Sequence, residues 1–398
     1  MHLSFSTEPL RAGRKYFNAS RPAATSISYL VLEYLVSALV YASLFALMSM
    51  GLTLTYMTTR VPNFAYGDMI VIGMYSSYLM SRVYGSNPYV GSALGFFAAG
   101  VASVLMYLGI LRPLTRRGSN IVSLMIATFG VDIGFVGIFG VYTDYLQNQY
   151  HFPDTKAFYL LGPDFSIGGL PGIDVAAPAA VVVVVLLIFL LLTKTRFGVA
   201  MRASIENPPL AKVLGINVDM VYTISWFLAG GLAGFAGALL TLQLPGGVNS
   251  GNDLIVEIFA ASVLGGLTSI FGSAVGGLVI GGTEILVTNW LGLGFGLPGT
   301  GVLVAVILLA GALLIRQGGR RRTVAGVILA GLGIWIIADI AAGYPVDFLA
   351  AELVNGFGPN VTPYQLAIPL VIMAATLLVA PQGIFSVDIR QMFRRAKK

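Results

Sequence analysis

Cysteine is absent from the 398-residue chain, and histidine occurs only at positions 2 and 151. The first absence excludes a disulfide framework, a thiolate metal site and thiol chemistry. The second leaves no His cluster for zinc or haem, so no metal site is expected. Charge is scarce too: 10% of residues are Asp, Glu, Lys or Arg, against about 25% in an ordinary soluble domain. With 57% of residues in the AVILMFWYC set, a water-soluble fold would expose large apolar patches. This composition excludes a soluble enzyme, a disordered chain and a nucleic-acid reader. No G-x-x-x-x-G-K-[ST] string is present, so no nucleotide binds through a P-loop. Gly294, Gly296 and Gly299 match G-x-G-x-x-G only as letters. No strand precedes them and Pro298 interrupts them, so they read as a turn.

What the chain has is apolar runs. A helix needs about 20 apolar residues to cross a hydrocarbon core of about 30 Å. Such runs lie at 29–57, 89–111, 120–142, 175–193, 220–244, 273–291, 300–315, 323–342 and 365–381. Two more are irregular: 64–81 is broken at its start by Pro62 and Asn63 and carries Asp68, and 254–267 is short for a crossing. The expectation is an all-α, polytopic integral membrane protein of about ten transmembrane helices, one or two of them broken or re-entrant. Residues 1–28 read as a cytoplasmic tail, 29–386 as the membrane domain, and 387–398 as a basic cytoplasmic tail.

Basic residues set the orientation. Of the 23, 20 fall in 11–21, 112–117, 194–212, 316–322 and 390–398. The segment 143–174 carries Asp144, Asp154, Asp164 and Asp174 against Lys156, and 339–364 has three acids and no base. Both termini and the loops 112–119, 194–219 and 316–322 are therefore expected on the cytoplasmic side of the cell membrane, and 143–174 and 343–364 outside. Parity between 1–28 and 112–117 requires an even number of crossings, which makes 64–81 the run that fails to cross.

Buried charge marks function in a membrane, because an acid facing lipid costs about 2.5–3.5 kcal/mol or more. Asp68, Asp132, Glu257 and Glu284 all lie in apolar runs and are pathway residues on this reasoning. Pro62-Asn63 opening a short helix at membrane depth is a broken-helix pattern, tolerated beside protein or a water-filled cavity. Such a helix N-terminus suits the carboxylate of a passing zwitterion, and Asn63 suits an N-cap. The pairs Gly230/Gly234, Gly272/Gly276 and Gly277/Gly281 have small-xxx-small spacing and point to close helix packing. In 194–219, helix formers flank Pro208-Pro209. Ala200, Ala203, Leu210 and Leu214 can form an apolar docking face, Gly215 reads as a helix stop, and Glu206 can pair with Arg202 at i, i+4.

The string Arg202-Ala203-x-x-Glu206-Asn207, followed by Ala211 and Leu214-Gly215-Ile216, resembles the coupling loop of the branched-chain amino acid ABC-transporter permeases, the LivH/LivM family, and more the LivH type. Asn63-Phe64-Ala65-Tyr66-Gly67-Asp68 resembles that family's N-F-A-H-G-E/D element, with Tyr66 for the usual His. The run Leu264 to Gly277 resembles L-G-G-x-G-S-x-x-G-A-x-x-G-G, and Glu284 sits where the family often has an acid. Pro381-Gln382-Gly383-Ile384-Phe385 resembles its closing R-P-Q-G-L-F-G, with Ala380 for the Arg. Residues 296–363 read as an insertion of about two helices.

The resemblance implies a permease subunit of an ABC importer, with no catalytic residue and no cofactor of its own. ATP would be hydrolysed by two ATP-binding cassette subunits, alongside a second homologous permease and an extracytoplasmic solute-binding protein. Membrane lipid would surround it and nucleic acid would play no part. Arg202, Ala203, Glu206, Asn207 and Gly215 would seat in an ATPase groove, and Asn63, Phe64, Tyr66, Asp68, Asp132 and Glu284 would line the pathway. The substrates implied are branched-chain or other small neutral amino acids, with urea or short amides carried by related members. The residues themselves also fit an ion-coupled secondary transporter or channel for a small polar solute, using Asp68, Asp132 or Glu284. An integral-membrane enzyme lacks any positioned Ser/His/Asp set.

Overall fold

The computed structural model of the chain describes residues 27–152, 154–160, 164–167, 170–292, 327 and 367–379. The segment 296–363 that reads as an insertion (residue 327 excepted), the Pro381–Phe385 stretch, the Gly294–Gly299 string, residues 1–26 and residues 387–398 lie outside the described residues.

Apolar runs become helices because lipid offers backbone groups no partner, so each segment must satisfy its own. Five described helices are long and apolar enough to cross a bilayer: most of α1 (Ile27–Thr59), α3 (Pro88–Arg116), α4 (Ile121–Tyr150), α5 (Gly172–Lys194) and α8 (Val218–Leu240). Between them lie α2 (Tyr66–Tyr78, continued by a π turn at Leu79–Val83), α6 (Arg196–Glu206), α7 (Pro208–Val213), α9 (Ser250–Gly265) and α10 (Ile270–Gly292); α11 is Ala367–Val379. Four two-residue strands tie loops together: β1 (Ala157–Phe158) pairs antiparallel with β4 (Gly246–Gly247), and β2 (Ser166–Ile167) with β3 (Leu170–Pro171). The expected helical, multi-span architecture is met.

Asparagine starts four of these helices. Asn87, Asn120, Asn207 and Asn217 each accept a backbone N–H of the following turn, at 3.0, 2.7, 3.1 and 3.0 Å. Each thereby satisfies one of the four N–H groups that a helix start leaves open.

The core is α8 packed on α1, α2 and α3, with α10 lying along α1. Glycine makes the close approaches possible. A Cβ placed on Gly234 would meet the Gly95 carbonyl and sit 2.5 Å from the Cβ of Ala99. One on Gly95 would lie 2.8 Å from the Gly234 oxygen and 3.0 Å from the Gly73 Cα. So α2, α3 and α8 meet backbone to backbone at three glycines. The paired glycines behave similarly. Gly230 abuts Ala99 and Ser103; Gly272 and Gly276 abut α9 at Gly265 and Ala261; Gly277 and Gly281 abut α1 at Ala46 and Ala42.

Contacts fix which helix ends lie together. At one end, Asp219 accepts from both Arg112 and Arg116 at 2.6 Å, and Trp226 Nε1 donates to Thr58 Oγ1 at 3.1 Å. At the other, Gln243 Nε2 donates to the Ser37 carbonyl (3.1 Å), Tyr75 donates to the Thr155 carbonyl (3.1 Å), and Arg82 pairs with Asp154 at 3.6 Å. The first end carries α6 and α7; the second carries the acidic 143–174 segment.

This corrects three sequence expectations. Segment 60–83 does cross: a non-helical stretch leaves the α6–α7 end at Arg60, and α2 starts beside Met48 and Ala229 and runs to the far end. Three crossings, not two, therefore join the start of α1 to Arg112, so Ile27 lies at the end opposite α6–α7. The count of four basic residues in 11–21 weighed against a short broken helix that still spans. Second, helix continues into both expected loops: α3 runs through Arg116 and α4 through Tyr150, because these amphipathic turns satisfy their backbone in water as well as in lipid. Third, Asn63 is not the cap of α2, which begins at Tyr66 without a side-chain cap.

Candidate functional site

The polar segment between α5 and α8 forms an elbow of two helices. Thr195 caps α6 by accepting from the Gly198 N–H (3.2 Å), and Asn207 ends α6 and caps α7. Pro208 and Pro209 fall in the first turn of α7, where a missing N–H costs nothing. Gly215 takes φ +80°, and the N–H of Ile216 returns to the Ala211 carbonyl at 3.0 Å, closing α7. Asn207 and Gly215 therefore shape the elbow's own backbone.

The elbow grips the bundle on one face. Met201, Ser204 and Ala211 are buried, Tyr222 of α8 donates to the Ser204 carbonyl at 3.0 Å, and Gly198 abuts Leu192 of α5. The Arg202 guanidinium donates to the Leu192 carbonyl at the end of α5. The side chain stays exposed and, among the described residues, makes no ion pair with Glu206. Ala200 and Ala203 are half-buried. The outward face is Leu210, Val213 and Leu214, 54%, 82% and 70% exposed, beside the exposed Glu206. The apolar face expected from Ala200, Ala203, Leu210 and Leu214 is thus carried by α7, with Val213 added.

Asn207→Ala removes the cap of α7 and should cost about 1 kcal/mol locally. Hydrogen exchange across 208–214 should speed several-fold while the rest of the chain is unchanged.

The second group of residues lies within the bundle. Asn63, Asp68 and Asp132 are 2%, 1% and 5% exposed. The Phe64 N–H donates to Thr128 Oγ1 of α4 at 3.3 Å, and the Phe64 ring sits 5.6 Å from both Phe129 and Phe259. Asp68 lies in the first turn of α2, four residues after Phe64, and Asp132 lies one turn after Thr128 on α4. Among the described residues Asn63 Oδ1 and Asp68 Oδ2 have no hydrogen-bond partner. Tyr66 stands apart from them. Its hydroxyl donates to the Met48 carbonyl at 2.7 Å and faces the Ala229 carbonyl at 3.5 Å, bolting α2 between α1 and α8.

Glu284 belongs to a third cluster. The Tyr41 hydroxyl of α1 lies 3.3 Å from Glu284 Oε1 of α10 and 3.4 Å from Glu257 Oε2 of α9. Ser262 of α9 donates to the Ser49 carbonyl (3.2 Å) and Ser49 to the Ser273 carbonyl (2.7 Å) in the same interface. The structure thus sets Phe64 against α4 beside Thr128, with Asn63, Asp68 and Asp132 buried on the same two segments, and sets Tyr66 and Glu284 in helix interfaces. Tyr41 carries no sequence signal beyond its place in an apolar run.

Among the described residues no group of three His, Cys, Asp or Glu side chains could hold a metal.

Comparison with known proteins agrees with this architecture. Residues 34–315 match the family described as "Branched-chain amino acid transport system / permease component". The probable branched-chain amino acid transport permease protein LivH of Methanocaldococcus jannaschii is 38% identical over 290 residues, 72% of this chain and 90% of that one. BraD of Pseudomonas aeruginosa, a high-affinity branched-chain amino acid transport system permease, is 28% identical over 64% of this chain and 86% of its own. LivH of Escherichia coli is 27% identical over 65% and 87%. No solved structure matches the chain.

Proposed function

We propose a mechanism for a chain that belongs to the family of branched-chain amino acid transport system permease components. The chain is a multi-pass membrane permease subunit of an ABC importer and not an enzyme. The finer reading is that it carries branched-chain or similar small neutral amino acids by alternating access, paired with a second permease and driven by two ATPase subunits that grip α6–α7. A solute-binding protein delivers substrate at the far end. By this reading α6–α7 is cytoplasmic and Ile27 is external.

One observation carries the mechanism: an exposed apolar face on α7 belongs to an element tied to both α5 and α8. A partner that shifts the elbow moves the ends of two spans. α8 in turn meets α2 and α3 at glycine backbones, which leave no soft side chains to absorb the motion. The shift reaches the start of α2, where Asn63, Phe64 and Asp68 lie. Glu206, Leu210, Val213 and Leu214 make the contact; Arg202, Asn207 and Gly215 hold its shape.

Two measurements check this. Purified through a tag, the chain should retain two ATP-binding cassette subunits from its own cells; recovery without any ATPase contradicts the assignment. Cysteine at 156 should label from outside and cysteine at 207 only after the membrane is opened; the reverse pattern overturns the orientation.

A further inference from the structure

We infer that Asp68 and Asp132, with the Asn63 amide oxygen and Thr128, form a transient intramembrane site for the ammonium group of the substrate, an inference that rests on the amino acid reading above.

Oxygen atoms dominate this place. Asp68 lies on α2 and Asp132 on α4, both nine-tenths or more buried, on the two segments that the bond from the Phe64 N–H to Thr128 Oγ1 ties together. Thr128 sits one helical turn before Asp132 and is already tied to the α2 approach through the Phe64 N–H. Among the described residues neither carboxylate takes part in an ion pair; Arg112 and Arg116 are committed to Asp219 at the elbow end. Asn63 Oδ1 and Asp68 Oδ2 are buried acceptors that find no donor among the described residues. Such acceptors cost free energy unless something supplies hydrogen atoms and positive charge. An ammonium group supplies both, with three donors and one charge.

The broken start of α2 gives the site its polarity. A bare helix N-terminus attracts anions, and the sequence alone points to the substrate carboxylate there. Asp68 already occupies the first turn of α2, so the protein's own carboxylate answers the helix dipole. Asp132, in the interior of α4, has no helix start beside it, and the substrate end that fits next to it is the ammonium. The site also lies where the proposed motion arrives. α2 is bolted to α8 through Tyr66, whereas α4 contacts the bundle along one face only. A shift of α8 therefore changes the Asp68–Asp132 spacing, which gives a way to hold the ammonium in one state and release it in the other.

The test uses the full chain in lipid nanodiscs, followed by thermal unfolding at constant ionic strength. The probes are leucine, 3-methylbutylamine (its amine without the carboxylate), 4-methyl-2-oxopentanoate (its acid without the amine) and sodium chloride, each at tens of millimolar. Leucine and the amine should raise Tm by several degrees and the oxo acid should not, because only ligands that bind the folded state stabilise it. Asp132→Asn should abolish the shift and Asp132→Glu should keep it; α4 is, with α5, the least buried of the described spans, and the melting curve itself reports whether each variant folds. Stabilisation by sodium equal to that by the amine would replace the ammonium site with an alkali-cation site. No stabilisation by the amine, or an undiminished shift in Asp132→Asn, overturns the inference outright. In the complete transporter, Asp68→Asn and Asp132→Asn should lower ATP-dependent leucine uptake at least tenfold. If the wild-type complex moves no amino acid, the transport reading has failed instead, and the amine shift still decides the site.

Discussion

Gly234→Leu is expected to prevent the chain from reaching a stable folded state in detergent or lipid. The reason lies in what a side chain would meet. Overpacking a core costs about 1–3 kcal/mol when neighbouring side chains can move aside. At Gly234 the first obstacle is the Gly95 backbone, with the Ala99 Cβ 2.5 Å and the Gly95 carbonyl carbon 2.8 Å from the new Cβ. Gly73 is equally close on the third helix, with the Gly234 Cα 2.7 Å from a Cβ placed on it. Only separation of α8 from α2 and α3 relieves the clash, and that separation opens the core. A loss above about 3 kcal/mol is expected, seen as aggregation or a melting transition too low to measure. Gly134→Leu on α4 is the control. Nothing lies within 4 Å of its Cβ, so it should melt within a degree or two of the parent. Equal stability of the two variants would remove the three-glycine crossing from the account.

The second large effect is uncoupling at the elbow. Glu206→Lys, or Leu210→Asp with Leu214→Asp, should reduce ATP-dependent uptake about a hundredfold, equivalent to about 2.7 kcal/mol of coupling. The melting temperature and the amount inserted should not change. These positions are exposed, so their replacement leaves the elbow's internal contacts intact. Deleting 203–215 would also abolish uptake, but it removes Ser204 and Ala211 from the packed face and thereby mixes coupling with stability. The point variants separate the two. Uptake within twofold of the parent in both would show that α7 is not where force enters.

Much of this molecule is written plainly in its sequence, for a physical reason. Lipid demands an apolar run for a regular span, so α1, α3, α5, α8 and α10 start and stop near the ends of theirs, while α4 continues past its run to Tyr150. The Pro208-Pro209 break and Gly215 likewise announce α7, because proline and positive φ are local requirements. What depends on a partner distant in sequence is illegible. Gly230 and Gly234 signal a packing face, but nothing in their spacing names Gly73 and Gly95 as the other two members. Tyr66 reads as a pathway residue from its place in the motif, yet its hydroxyl is claimed by carbonyls of α1 and α8. Asn63 looks like a cap, and the helix begins three residues later. Four basic residues in 11–21 place the start of α1 with the Arg112 end and leave 64–81 as the run that does not cross, whereas the contacts of α1 and α2 put Ile27 at the other end. Arg202 and Glu206 have the spacing of an ion pair, but a free carbonyl at the end of α5 is the nearer acceptor for the arginine.

The central claim is that this chain is a passive gate moved by a separate ATPase. The direct measurement is solute accumulation in liposomes, comparing the purified chain alone with the chain plus its ATPase and solute-binding subunits. The account predicts uphill leucine uptake only in the second case, dependent on ATP and indifferent to a sodium or proton gradient. Concentrative uptake by the chain alone, driven by either ion gradient, would contradict it.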